Sequence, residues 1–115
     1  MERVELRPTG RRPVVFEGEL VAESRTSMDR AHWRWSGSTG RCESVRVWRT
    51  ETGRFVVEHV RKSAWQGEPD QTTYVLVFDS VGDLVGWIEQ RHRIIADELL
   101  EALRRQDLIE PEHIE

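Results

Sequence analysis

The chain has 115 residues and a formal net charge of −4 at pH 7, a size that suits one folded domain. A hydrophobic fraction of 37% with interleaved aromatic residues argues against wholesale disorder. No apolar run approaches the roughly 18–20 residues that cross a bilayer, and the start lacks an apolar signal region. A single cysteine, Cys42, cannot form an internal disulfide. We therefore expect a cytoplasmic, bacterial-type protein.

The charge is unevenly distributed along the chain. Residues 1–65 contain 13 Arg and Lys against 9 Asp and Glu, whereas residues 66–115 contain 4 against 12. The half that is predicted to form strands is basic, and the half that is predicted to form helices is acidic. Such asymmetry indicates either a sheet that faces an anion or two complementary faces of a self-associating protein.

The first quarter of the chain is predicted to be an arm and then a strand. Residues 1–13 contain Pro8, Gly10 and Pro13, which is typical of a flexible N-terminal arm. Residues 14–25 alternate as a half-buried strand does. The alternation places Val21 on one face of this strand and a second set of residues on the other face, namely Phe16, Gly18, Leu20 and Ala22. Gly18 indicates a bulge or bend, and a long loop over residues 24–40 follows.

Residues 43–62 predict a β-hairpin around which the rest of the chain is organised. If Glu51, Thr52 and Gly53 form a three-residue loop, Gly53 takes a positive φ and the numbers of paired residues sum to 104. Arg46 then lies opposite Glu58. A four-residue loop would slip the register by one residue. The three-residue register places Val45, Val47, Phe55, Val57 and His59 on one face, and Arg46, Trp48, Val56, Glu58 and Val60 on the other.

The remaining segments predict a strand and then helices. Residues 72–79 are apolar on both faces, which is typical of a strand that is central in a sheet or is covered on both faces. Ser80 is placed to cap a helix that begins near Val81, and helical spacing of apolar residues continues to Leu103 as one helix or, preferably, two. We predict an α+β fold: a four-stranded antiparallel sheet followed by one or two C-terminal helices packed on one sheet face. The predicted boundaries are an arm at 1–13, a domain at 14–106 and an acidic tail at 107–115.

No pattern for catalysis, metal or cofactor binding is found. Cys42 and His59 are expected on opposite faces of the hairpin, too far apart for a thiol and base pair. The histidines are scattered without the short spacing of metal ligands. We therefore predict no catalytic residues, no metal, no cofactor and no enzyme activity.

Aromatic and basic residues are interleaved at three places in the chain. Single-stranded nucleic acids bind grooves in which Arg and Lys contact phosphates while bases stack on aromatic planes. The order of four antiparallel strands and then a helix resembles the arrangement in Pur-type and Whirly or coactivator-type single-strand binders, without a shared motif. The candidate binding residues are Trp33, Arg34, Trp35, Arg46, Trp48, Arg49, Arg61, Lys62 and Trp65. Alternatively, Trp48 and Trp87 belong to the core, and Trp33, Trp35 and Trp65 close loops over it or form a dimer interface.

Two functional hypotheses follow from these patterns. The sheet face opposite the helices is more apolar than a wetted surface usually is, so we expect the 24–40 loop, a second copy or a protein partner to cover it. The first hypothesis is a non-catalytic interaction module that self-associates, as a homodimer, or binds a protein partner through this sheet face. The alternative is a single-stranded nucleic-acid-binding protein, which the acidic overall charge disfavours.

Overall fold

The computed structural model describes residues 1–25, 41–63, 67 and 71–109. Across these residues the chain forms one antiparallel sheet whose spatial order follows the chain order, and two helices come after it. The predicted α+β class is thereby confirmed. The elements are β1 (Glu2–Leu6), β2 (Val14–Arg25), β3 (Arg41–Thr50), β4 (Phe55–Ser63), β5 (Gln71–Phe78), α1 (Val81–Glu89) and α2 (Arg93–Arg105). No helix within these ranges is both long and apolar enough to cross a membrane.

The sheet has one strand more than predicted. β1 lies inside the segment that the sequence predicts to be an arm, and it pairs antiparallel with β2 from Glu2 opposite Gly18 to Leu6 opposite Val14. Only Val4 and Leu6 of this strand are apolar and point inward. Two alternating positions are too weak a pattern to predict a strand between prolines and charged residues.

The central hairpin has the predicted register. Every pair from Arg41 opposite Ser63 to Arg49 opposite Phe55 sums to 104. Gly53 has a φ of 85°, the left-handed conformation that a three-residue loop requires at this position. The amide of Thr50 donates to the carbonyl of Arg54 at 2.8 Å, which closes the loop.

An irregularity in β2 changes which of its residues face which side. The register against β3 shifts between Leu20 and Ala22, not at Gly18. Leu20 pairs with Trp48 before the shift, and Ala22 pairs with Val47 after it. The prediction that Leu20 and Ala22 share a face is therefore wrong, because the inserted Val21 reverses the alternation.

The two helices cover one face of the sheet, which we call the helix face. The Ser80 hydroxyl accepts a hydrogen bond from the amide of Asp83 at 3.2 Å, which confirms the predicted cap, and the preferred division into two helices is also confirmed. Fully buried apolar side chains of both helices pack against those of the strands. This main core includes Val45, Val47, Val57, Leu84, Ile88, Ile95, Leu99 and Leu103.

The chain itself covers part of the opposite side, which we call the inner face. The sheet curls so that the segment after β1 reaches β5: the amide of Thr9 donates to the carbonyl of Thr73 at 2.9 Å. In return, the Thr73 amide donates to the Thr9 hydroxyl at 2.8 Å. A second cluster, the inner core, fills the space enclosed by this curl. It consists of Leu6, Trp48 and Val56, with Val4, Phe16 and Val75 packed against them.

β5 lies at the edge of the sheet, not at its centre. It pairs with β4 on one side, and no strand of the described chain lies on the other. Of the two predicted positions, a central strand is wrong and a strand covered on both faces is correct, because β5 is an edge strand with one core on each side. Val75 contributes to the inner core, while Leu76 and Phe78 pack against the main core.

The end of the chain is only partly described. Leu108 and Ile109 pack against the main core although they follow α2. Residues 110–115 of the predicted acidic tail lie outside the described residues.

Candidate functional site

The structure does not bring the predicted binding residues onto one surface. Trp33, Arg34, Trp35 and Trp65 lie outside the described residues. The hairpin register divides the other five between the two faces of the sheet. Arg46, Trp48 and Lys62 belong to the inner face, and Arg49 and Arg61 belong to the helix face.

Two of these residues are engaged within the protein. Trp48 is only 6% exposed, and its ring meets that of Phe16 edge-on at 5.9 Å. The Arg46 guanidinium lies 4.9 Å from the Trp48 ring centroid. Its Nε donates to Glu58 Oε1 at 2.8 Å, and its Nη2 donates to the same oxygen. This is the cross-strand pair that the register predicts.

The open edge of β5 is the most unusual surface of the described chain. Along a strand, the backbone groups of successive residues point to alternate sides. Since the amide and carbonyl of Thr73 point away from β4 to bind Thr9, those of Val75 and Val77 point away from β4 as well. No backbone hydrogen bond beyond the β4 ladder is found for either valine within the described ranges.

The side chains at this edge are apolar and exposed. Val77 is 53% exposed and Tyr74 is 46% exposed, and β5 carries no charged residue from Gln71 to Phe78. The other edge strand, β1, instead carries exposed Glu2, Arg3 and Glu5. Charged residues on an edge strand oppose pairing with another chain. β1 is therefore protected against such pairing, whereas β5 is not.

A polar cluster that the sequence did not reveal lies where β4 meets α1. His59 Nε2 is 2.9 Å from Glu43 Oε2, and the His59 ring lies edge-on to Trp87 with centroids 5.5 Å apart. This hydrogen bond lowers the pKa of the Glu43 carboxyl, because a donor favours the charged form, although burial acts in the opposite direction. The positive charges of Arg61 and Arg91 contribute to the lowering.

The sequence could not place these residues together, because they come from β3, β4, and α1 with the turn after it. His59 was assigned to the correct face by the hairpin register, but Trp87 and Arg91 could be added only by knowing how α1 lies on the sheet. The same register places Cys42 opposite Lys62, on the face away from His59. Within the described ranges, no group of three or more His, Cys, Asp or Glu is placed to hold a metal ion.

Comparisons with protein-family models, curated proteins and solved structures found no match for this chain.

Proposed function

We propose that the protein is a non-catalytic interaction module that self-associates through the open edge of β5. The observation that carries this proposal is an uncharged edge strand in which the outward backbone groups of Val75 and Val77 have no hydrogen-bond partner among the described residues, next to the exposed side chains of Tyr74 and Val77. Such an edge is a template for pairing with another strand.

The edge is a better candidate than the sheet face that the sequence favoured. The inner face is occupied by Leu6, Trp48 and Val56 of the same chain, each less than 9% exposed. The helix face is occupied by α1 and α2. Pairing at the edge requires neither core to open.

A second copy can pair with β5 around a two-fold axis. If β5 pairs antiparallel with β5 of a second copy, the backbone groups that point away from β4 in one copy bond to the same groups in the other. This is the isologous arrangement of most dimers. Thr9 already occupies the backbone groups of Thr73, so the ladder is limited to the part of β5 from Val75 onward. An interface of this size is at the low end of specific interfaces, and we expect a weak, concentration-dependent homodimer. A strand of a protein partner could use the same groups.

The alternative, binding of single-stranded nucleic acid, is less well supported. The predicted stacking residue Trp48 is buried, and the predicted phosphate ligand Arg46 is paired with Glu58. Trp48 would have to leave the inner core, and Arg46 would have to release Glu58, before they could contact a strand of nucleic acid.

Sedimentation equilibrium on the wild type and two matched variants tests the proposal. Val77→Lys places a charge on the open edge, whereas Val15→Lys changes a similarly exposed valine (48%) that lies on β2 opposite Glu5 of β1 and away from the β5 edge. We expect wild type and Val15→Lys to dimerise reversibly between about 1 and 100 µM, and Val77→Lys to remain monomeric. A monomeric wild type, or a Val77→Lys variant that dimerises like the wild type, would exclude self-association through this edge.

A further inference from the structure

A groove of about 570 Å³ lies beside the middle of β5, where Thr73, Tyr74, Val75 and Leu76 line it. Its walls are the Pro8–Arg11 segment on one side and the end of α1 with the following turn on the other. The volume is within the range of small-molecule sites, roughly 300–1,000 Å³. The residues that matter for a ligand are Arg11, His59, Arg61, Tyr74, Trp87 and Arg91.

Three arginines line this groove in a protein of net charge −4. Within the described chain, no carboxylate lies within ion-pair distance of Arg11, Arg61 or Arg91. Arg91 is held in place because its guanidinium stacks over the Trp87 ring at 4.5 Å and its Nε donates to the Trp87 carbonyl at 3.3 Å. Its terminal nitrogens are thus left for another acceptor.

The carboxylate of Glu43 does not neutralise the groove. Glu43 lies opposite Arg61 on the hairpin and is hydrogen-bonded to His59, and the three arginines of the groove outnumber its single negative charge. The fields of Arg61 and Arg91 reach Glu43, since both favour its ionised form. Forked guanidinium groups that converge without carboxylate partners are the usual ligands of phosphate oxygens.

The remaining lining of the groove is aromatic. Tyr74 is half exposed and its ring centroid lies 5.9 Å from that of His59, which in turn contacts Trp87. Flat ligand groups stack on such side chains.

We infer that this groove binds a small phosphomonoester that carries a flat ring, with Arg61 and Arg91 contacting the phosphate and Tyr74 contacting the ring. The site is built within one protomer and does not depend on pairing at the β5 edge.

A titration of the full chain followed by NMR tests this inference. The probes are AMP, inorganic phosphate and adenosine, the readout is the Trp87 indole N–H signal, and a Trp87→Phe variant assigns that signal. We expect saturable shifts with AMP, an apparent Kd for AMP at least about tenfold lower than for phosphate, and much weaker shifts with adenosine.

Variants locate the site. Arg61→Gln and Arg91→Gln should each weaken AMP binding at least about tenfold, while Arg93→Gln, which changes an exposed arginine paired with Asp97, should not. Arg61→Gln should fold like the wild type, because Arg61 lies exposed on β4 and makes no contact like that of Arg91 with Trp87. A loss of AMP binding in this variant therefore reports on the site and not on folding.

Four results would overturn the inference. The first is the absence of a saturable shift with AMP up to about 10 mM, where even a millimolar site is mostly filled. The second is AMP affinity that neither Arg61→Gln nor Arg91→Gln changes. The third is equal affinity for AMP and adenosine, which would exclude recognition of the phosphate. The fourth is equal affinity for AMP and inorganic phosphate, which would exclude recognition of the ring by Tyr74.

Discussion

Replacing Trp48 with alanine removes the largest side chain of the inner core. Trp48 is 6% exposed and packs with Leu6 and Val56. If the inner face is a second core of the monomer, this substitution lowers the free energy of unfolding. If the face instead served a partner, the main loss would be in association.

The size of the effect follows from the buried area. A tryptophan side chain buries about 150–250 Å², which corresponds to about 4–6 kcal/mol at about 25 cal/mol per Å². Alanine retains the Cβ atom, and large-to-small changes of this kind cost about 3–5 kcal/mol. Loss of the contact with the Arg46 guanidinium adds about 0.5–1 kcal/mol.

Urea-induced unfolding followed by circular dichroism measures this change. Leu20→Ala is the matched control, because Leu20 lies directly opposite Trp48 but is 46% exposed, and we expect it to cost under about 1 kcal/mol. A loss below about 1 kcal/mol for Trp48→Ala would refute the view that the inner face is a core.

Two further predictions concern Glu43 and the glycines. The pKa of Glu43 is lowered in the folded protein, chiefly by the hydrogen bond from His59, so its contribution to stability is present above the unfolded value near 4.5 and is lost as the pH falls through the folded value. Glu43→Gln should lower the free energy of unfolding at pH 7 by about 1.5–3 kcal/mol, and in urea titrations at decreasing pH that free energy should fall less steeply than in the wild type. Glu51→Gln on the exposed turn should match the wild type. If the free energy of unfolding of Glu43→Gln falls with pH as steeply as that of the wild type, the prediction is wrong. Gly53→Ala should destabilise by about 1–2 kcal/mol because φ is positive, while Gly86→Ala, which meets no atom within 4 Å, should stabilise α1 by about 0.5–1 kcal/mol in thermal unfolding; equal effects would contradict the backbone assignment.

Local patterns in the sequence were sufficient to predict the hairpin and the start of α1. The hairpin register depends on one turn, and Gly53 together with the Arg46–Glu58 pairing determines that turn. The Ser80 cap likewise depends on residues three apart in the chain.

Features that depend on distant contacts were missed. β1 has only two inward apolar residues, and it forms a strand because it pairs with β2 and packs those two residues in the inner core. Apolar residues on both faces of β5 have the same sequence pattern whether the strand is central or lies at an edge over two cores. The groove joins side chains of β4, β5, α1 and the turn after α1, and no spacing along the chain shows that Arg61 and Arg91 line the same groove.

Amide hydrogen exchange along β5, measured at low and high protein concentration, tests the central claim most directly. In dilute protein, we predict that Val75 and Val77 exchange rapidly because their amides point away from β4, while Tyr74 and Leu76 are protected by the β4 ladder. At high concentration, Val75 and Val77 should become protected. Protection of both valines in dilute monomer, or rapid exchange of both in concentrated protein, would contradict an open edge that a second copy closes.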